Sequence, residues 1–596
     1  MVDQRTRLAW LMASTLALSA CGGGGGGSST PSPSPAPAPS PTPSPAPSPT
    51  PAPAPAPAAD KPATRAEAAR FLTQATFGPT DADIDKVMTL GYSAWIDAQF
   101  ALPASSHRAV WEAADAAIKA TKPTSAAGQN EVHDAFWTHA VSAPDQLRQR
   151  VAYALSQIFV ISLADNNVAG EPRGAAAWMD LLANEGLGNY RNLLEAVSRN
   201  PLMGYYLSHA RNQRANAATG RVPDENYARE VMQLFSIGLV KLDEAGNSTG
   251  EATYGPADVS GLARVFTGWS WYCPEWPNND CFTRGSANGA SDPDKAIKPM
   301  LGYPQYHSAE DKPFLSTWLP AQEWPDPQAS MKGAMDALAS HTNVGPFIGR
   351  QLIQRLVTSN PTPAHVTAVS RAFANNGQGV RGDMKAVIKA VLLHPDARVQ
   401  SDQAGKLREP VLRLSAFLRA YGFKSETGGF RMGNTDNLVT SLGQTPLRSP
   451  SVFNFYRPGY VPPGTKAAGA GLAVPEMQIV HETTTAGYVN TMRDNVANGV
   501  GSNAPSGKRD LQGNFSAEIA LADKPVDLVN RVTGKLIPSA VPGAFTTAVA
   551  QAVSSVTIPA LNATGSNQST IDTAKRTRVN IALLLTLVSP EFQVQK

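Results

Sequence analysis

Beyond residue 60 the chain is written in apolar positions that recur at three- and four-residue steps, divided by short Gly, Pro and Asn punctuation. The clearest such run covers 221–239, where Tyr227, Ala228, Val231, Leu234 and Phe235 form one face that must be buried. Pro223 and Asp224 supply a helix start and Gly238 a left-handed stop, which predicts one helix between them. Thr64, with Glu67 three residues on, is a capping box, and Thr80 caps a second helix that Gly91 stops. Asp145 opens a helix with Leu147, Val151, Leu155 and Ile158, and further helices are expected at 177–187 and 191–197. Helical spacing returns at 330–340, 344–357, 362–374, 384–393 and 411–421, and the chain closes on 576–587. Two stretches, about 266–327 and about 428–475, lose the period and gather Pro, Gly, Asn and aromatic residues. No period of about 20 to 50 residues repeats. The fold class expected is mainly α: one large multi-helix domain over 61–596 with two irregular, loop-rich segments.

The first sixty residues follow a different rule. Arg5 and Arg7 precede an apolar run over 8–18 that closes on Leu18-Ser19-Ala20-Cys21, so 1–21 reads as an export signal resembling a bacterial lipobox, with Cys21 as the acylated residue. Gly22 stands where inner-membrane retention would call for aspartate, so an outer-membrane lipoprotein is expected, facing either side; the alternative is a secreted protein cleaved nearby. Residues 22–60, rich in Gly, Pro, Ser and Ala, cannot bury a core and form an extended tether rising roughly 3 Å per residue. Elsewhere no apolar run is long enough to span a bilayer.

Net charge is +3 with 17% charged residues and no basic run, which removes nucleic acid from the expected partners. With Cys21 lipidated, Cys273 and Cys281 are the remaining thiols. In an oxidising compartment so short a loop predicts a disulfide between them, worth about 2–3 kcal/mol by chain entropy.

Candidate chemistry centres on the helix at 221–239. Glu225 to Arg229 and Asn226 to Glu230 are four-residue spacings, so two carboxylates, an amide and a guanidinium crowd one helix end. One reading is a solvated helix start with a single ion pair; the other is a fixed pair of acids in a cleft, Arg229 holding one ionised while burial raises the other. Nucleophile-elbow, zinc-protease and phosphate-loop signatures are missing, and residues 499–504 match a loosened dinucleotide pattern but follow no strand run and read as a loop. The nine histidines lack metal-ligand spacing, so no metal and no cofactor is expected.

Five ordered segments together resemble a bacterial family known as domain of unknown function 1800. They are R-F-L-T-Q-A-T-F-G-P-T from Arg70, L-R-Q-R-V-A-Y-A-L-S-Q-I-F-V from Leu147, D-E-N-Y-A-R-E-V-M-Q-L-F-S-I-G from Asp224, D-V-S-G-L-A-R-V-F-T-G-W ending at Trp269, and H-S-A-E-D-K from His307. The family's helix motif is matched at Glu225, Asn226, Ala228, Arg229, Glu230, Leu234, Phe235 and Gly238, with Asp224 in place of an Asn and Gln233 in place of an acid. Its H-x-x-G-x-K motif is matched at His307 and Lys312, with Glu310 in place of the Gly. The resemblance implies no defined activity. It does imply an envelope pathway acting on polysaccharide or sulfated material, alongside sulfatase-like exported partners.

Two functions are expected from this. In the first, a surface enzyme acts on polysaccharide: either Glu230 or Glu225 is the general acid and the other the base, Asn226 and Arg229 belong to the same cluster, and His307 and Lys312 stabilise charge on a shared concavity. Asp258 and Arg264 support that site, and Trp269 and Trp271, with Trp276, Trp318 and Trp324, offer rings to sugars. The alternative for the tryptophans is packing, and for His307 and Lys312 a hydrogen-bonded loop. In the second function, the protein is a non-catalytic binder or accessory for a sulfatase-like exported partner.

Overall fold

The computed structural model describes residues 60–290, 292–399 and 404–596, so the export signal, Cys21 and the tether lie outside the described residues. Among the described residues 26 α-helices alternate with short strands, and none of the helices is long and apolar enough to cross a membrane. The mainly α reading holds. One continuous apolar cluster runs from Ala68 to Phe592.

The elements that position the site are these. Helix α1 (Arg65–Ala75) is capped by Thr64, whose side chain accepts from the Glu67 amide. Helix α2 (Gln129–Ser142) precedes α3 (Gln146–Ser156), which is buried along its whole length apart from Arg148. Next come α4 (Asn226–Gln233), the hairpin β1 (Val240–Leu242) and β2 (Ser248–Ala252), and α5 (Pro256–Val265). The first irregular segment holds two small antiparallel pairs: β3 (Trp269–Ser270) with β4 (Leu301–Gly302), and β5 (Lys312–Phe314) with β6 (Thr317–Leu319). Cys273 and Cys281 are disulfide-bonded within it, as the spacing predicted. Helices α6 (Pro327–Ser340), α7 (Val344–Leu356) and α8 (Pro410–Ala420) follow, each within about three residues of expectation.

Two readings need correction. Residues 499–504 do not form a loop: Val500–Asn503 is a strand, paired with Arg509–Gln512 in a three-stranded sheet. The helix expected over 221–239 is eight residues long. Asp224 Oδ1 accepts from the Asn226 amide, so the carboxylate serves a helix that begins one residue later than an Asp224 cap predicts, with Glu225 at the N-cap position. After Gln233 the bonds lengthen, Phe235 N to Glu230 O and Gly238 N to Met232 O, and the chain turns out at Gly238 with φ +72°. A Cβ at that glycine would lie 2.7 Å from the Phe347 ring. Asn343 then fixes the exit, donating to the carbonyls of Ile237 and Val240 at 2.8 Å each and accepting from Leu242 N.

Candidate functional site

Helix α4 buries Tyr227, Ala228, Val231 and Met232 and leaves its polar residues outward. Tyr227 stacks on His209 at 3.8 Å and donates to Ser198 Oγ at 2.6 Å, which locks the helix rotation. Arg229 Nη2 lies 3.4 Å from Glu225 Oε2, and both side chains are half-exposed. Glu225 Oε1 accepts from Ser260 Oγ on α5 at 2.5 Å. Asn226 Nδ2 donates to Ser208 Oγ. Glu230 differs from these: its Oε2 is sealed from solvent without a hydrogen-bond partner, and burial raises its pKa against the opposing pull of Arg229. Burial, aided by the charges of Asp165 and Glu230, pushes the neighbouring Tyr206 phenol up to about 12.

The second half of the expected site is built as scaffold. His307 is fully buried; Nδ1–H donates to Thr267 O at 2.8 Å and Nε2 accepts from Ser330 Oγ at 2.9 Å. Burial lowers its pKa to about 4, so the ring is neutral at neutral pH. Gly268, at φ +78°, lets this loop close, since a Cβ there would sit within 3.0 Å of Tyr303 O and His307 N. Lys312 is buried in β5, donates to Glu310 O at 3.1 Å, and has its pKa lowered by burial. Asp258 Oδ1 accepts from Leu315 N and Oδ2 from Gly255 N, while Arg264 Nη1 donates to Asp311 O at 2.6 Å. These residues dock the β5–β6 hairpin onto α5.

Helix α5 therefore stands between the two sets, with Ser260 facing Glu225 and Gly261 lying against Pro313. The expected concavity shared by α4 acids, imidazole and amine is not assembled. Trp269 is buried with Nε1–H donated to Val265 O, and Trp271 is nearly buried with Nε1–H donated to Tyr205, so neither leaves a ring face for a sugar. Trp276, Trp318 and Trp324 are exposed. Among the described residues, His365, His394 and Asp396 bring potential metal-ligand atoms within 4.8 Å. Their imidazoles stack 8° from parallel and His394 Nδ1 already accepts from Asp396 N, so the lone pairs do not converge on one point.

A different hollow opens one helical turn beyond Glu230, where Gln233 and Leu234 form part of its wall. It measures about 390 Å³ and is bounded by α4, β1, α7 and the segment 452–459. Its floor rests on a buried polar network. Glu409, at the start of α8, accepts at Oε2 from Gln157 Nε2 (2.8 Å), Gln444 Nε2 (2.6 Å) and Tyr456 OH (3.0 Å). Arg355 donates to the carbonyls of Gln157 and Gln351, and its own carbonyl accepts from the fully buried Arg150. Sequence reasoning did not single out these residues. One signal was present: Arg350, Gln351, Gln354 and Arg355 fall at paired four-residue steps and stripe a helix that is otherwise apolar.

No curated protein and no solved structure matches the chain. A family model described as a protein of unknown function, DUF1800, matches residues 70–594, and the chain belongs to that family.

Proposed function

We propose that the protein is an exported, lipid-anchored component of the cell envelope that binds an anionic ligand in the hollow beside α4 without turning it over. The observation that carries this reading is the hollow's chemistry: among the described residues three arginines and several glutamines line it, and no carboxylate does. Export and anchoring are supported by the charged start, the apolar run and Leu18-Ser19-Ala20-Cys21. In this reading the protein is an accessory to an envelope pathway, and a sulfatase-like exported enzyme is the kind of partner it serves. Incubation of the purified protein with defined envelope polysaccharides is expected to yield no new reducing ends. Cys21→Ala is expected to move the protein out of the membrane fraction.

One observation favours the enzyme instead. Glu230 is an acid whose pKa burial raises and whose Oε2 has no hydrogen-bond partner, the condition of a proton donor. New reducing ends that disappear in Glu230→Gln at unchanged melting temperature overturn the binding reading in favour of acid/base hydrolysis.

A further inference from the structure

Two other hollows on the surface each hold an arginine paired with a carboxylate of the same wall. In the hollow near Asn490, Arg509 is bonded to Asp494 at 3.1 Å, and in the one near Tyr421, Arg531 is bonded to Glu518 at 2.7 Å. The hollow beside α4 is unlike these. Among the described residues no carboxylate lies within ion-pair distance of Arg350, Arg355 or Arg457, all three of which reach it, although Glu409 and Glu476 act on the Arg355 charge at longer range. Two donors at its floor are also unspent: Gln351 Nε2 and Arg355 Nε, on side chains more than nine-tenths buried, have no hydrogen-bond partner. Buried donors without acceptors are costly in a folded chain, which marks this floor as a place where an acceptor belongs.

The remaining wall is aliphatic and aromatic. Leu234, Leu242, Phe347, Val452 and Phe453 line it, and Leu239 and Val240 stand exposed at its rim. A sugar would meet few hydroxyl partners along such a wall, whereas a hydrocarbon chain would be desolvated by it. Arg457 lies over the Phe453 ring at 4.9 Å, which keeps a guanidinium at the edge of the apolar surface. Gln354 fastens this side of the hollow by donating to Pro458 O and Ser359 O, and the Glu409 network holds Gln157 beneath it, so the cavity is preformed.

We infer that this hollow binds a single-chain anionic amphiphile, its carboxylate, sulfate or phosphate head held by the arginines and Gln351 and its chain laid against Leu234, Leu242 and Phe347. The inference rests on the binding reading of the protein and names its ligand class. The charge fit is one-sided: an anion meets only donors, and a cation meets no acceptor of opposite charge.

The test is calorimetric titration of the full chain with dodecanoate and dodecyl sulfate below their micelle concentrations, beside dodecyl maltoside, inorganic sulfate and a sulfated disaccharide. Saturable 1:1 binding of the charged amphiphiles is expected, with each of the other three about tenfold weaker or worse. Arg350 and Arg457 are exposed, so the double variant Arg350→Gln/Arg457→Gln is expected to fold with unchanged melting temperature and to bind dodecanoate about tenfold more weakly. Leu239→Ser is expected to weaken all chain-bearing probes alike. Equal affinity for dodecyl maltoside, or no effect of the double variant, overturns the anionic head. Preference for the sulfated disaccharide overturns the amphiphile while leaving an anion-binding protein. Reducing ends released from polysaccharide overturn the binding reading itself.

Discussion

Ser260 and Gly261, adjacent on α5 and so about 100° apart around it, face different neighbours and keep two conspicuous sequence motifs apart. Ser260 Oγ reaches Glu225 at 2.5 Å, while the backbone of Gly261 lies against the carbonyl of Pro313 in β5. The helix is thus a partition. Glu225 and Arg229 belong to its solvent side, and the hairpin carrying Lys312, with His307 behind it, is clamped to the other by Asp258 and Arg264.

The partition predicts an intolerant glycine. A Cβ at Gly261 would stand 1.7 Å from Pro313 O, so Gly261→Ala is expected to cost about 1–3 kcal/mol or more and to lower the melting temperature. Gly534, also helical but with nothing within 4 Å, is the control: Gly534→Ala is expected to be neutral or stabilising by about 1 kcal/mol. Equal melting temperatures for the two variants would mean the hairpin does not press on α5 this closely.

Burial of imidazoles predicts acid sensitivity. The pKa of His107 and His133 is lowered to about 3, and that of His209, His307 and His365 to about 4, by burial in each case. Above the ordinary value of 6.5 each ring is neutral in both states and contributes nothing. As pH falls below it the unfolded chain takes up protons that the folded chain refuses, and stability drops by about 1.4 kcal/mol per pH unit for each ring. Urea midpoints measured from pH 7 to pH 4 are expected to fall steeply. In His307→Asn, proton uptake on unfolding near pH 5 is expected to fall by about one.

How far the sequence discloses such features depends on the range of the interaction behind them. Helix α7 was read to within one residue, because its period and boundaries are local. The Cys273–Cys281 bridge was legible because few partners exist for either thiol. Helix α4 was overextended because Gly238 ends a wide turn after the helix, and a stop signal does not say how far back regular hydrogen bonding ceases. Glu225 and Glu230, five residues apart, sit about 140° around a helix from each other, so their divergence could have been foreseen. For His307 the alternative of a hydrogen-bonded loop was legible but its partners were not: Thr267 and Ser330 are 40 and 23 residues away, and only the fold brings them together. The same holds for Glu409, which gathers the side chains of Gln157, just past the end of α3, and of Gln444 and Tyr456.

Glu230 carries a prediction of opposite sign to the histidines. Its folded pKa is raised above the ordinary glutamate value of 4.5, so the unfolded chain ionises first as pH rises. Stability is therefore lost through the interval between the two values and the loss is constant above it. Glu230→Gln removes that loss, so the variant is expected to melt at or above the parent temperature at pH 7, with the difference vanishing below about pH 4. A variant less stable than the parent at pH 7 would mean that the carboxylate has a cationic partner.

Lys406 and Glu476 form an ion pair with both side chains nearly sealed from solvent. Burial raises the Glu476 pKa, the Lys406 charge opposes this, and Glu476 Oε2 has no further partner. Lys406 also belongs to the short strand Lys406–Leu407 that pairs with Val594–Gln595, so the pair sits where the chain's end is stitched to the start of α8. Removing one charge leaves the other buried alone: Lys406→Met is expected to cost about 3–5 kcal/mol. It should also make stability fall as pH rises, because Glu476 must then hold its proton to stay folded. Replacing both partners removes the stranded charge as well as the attraction, so Lys406→Met/Glu476→Leu is expected to recover most of the loss. Urea unfolding of the parent, the two single variants and the double variant closes the cycle. Strict additivity of the single effects would show that each charge is stabilised by something other than its partner.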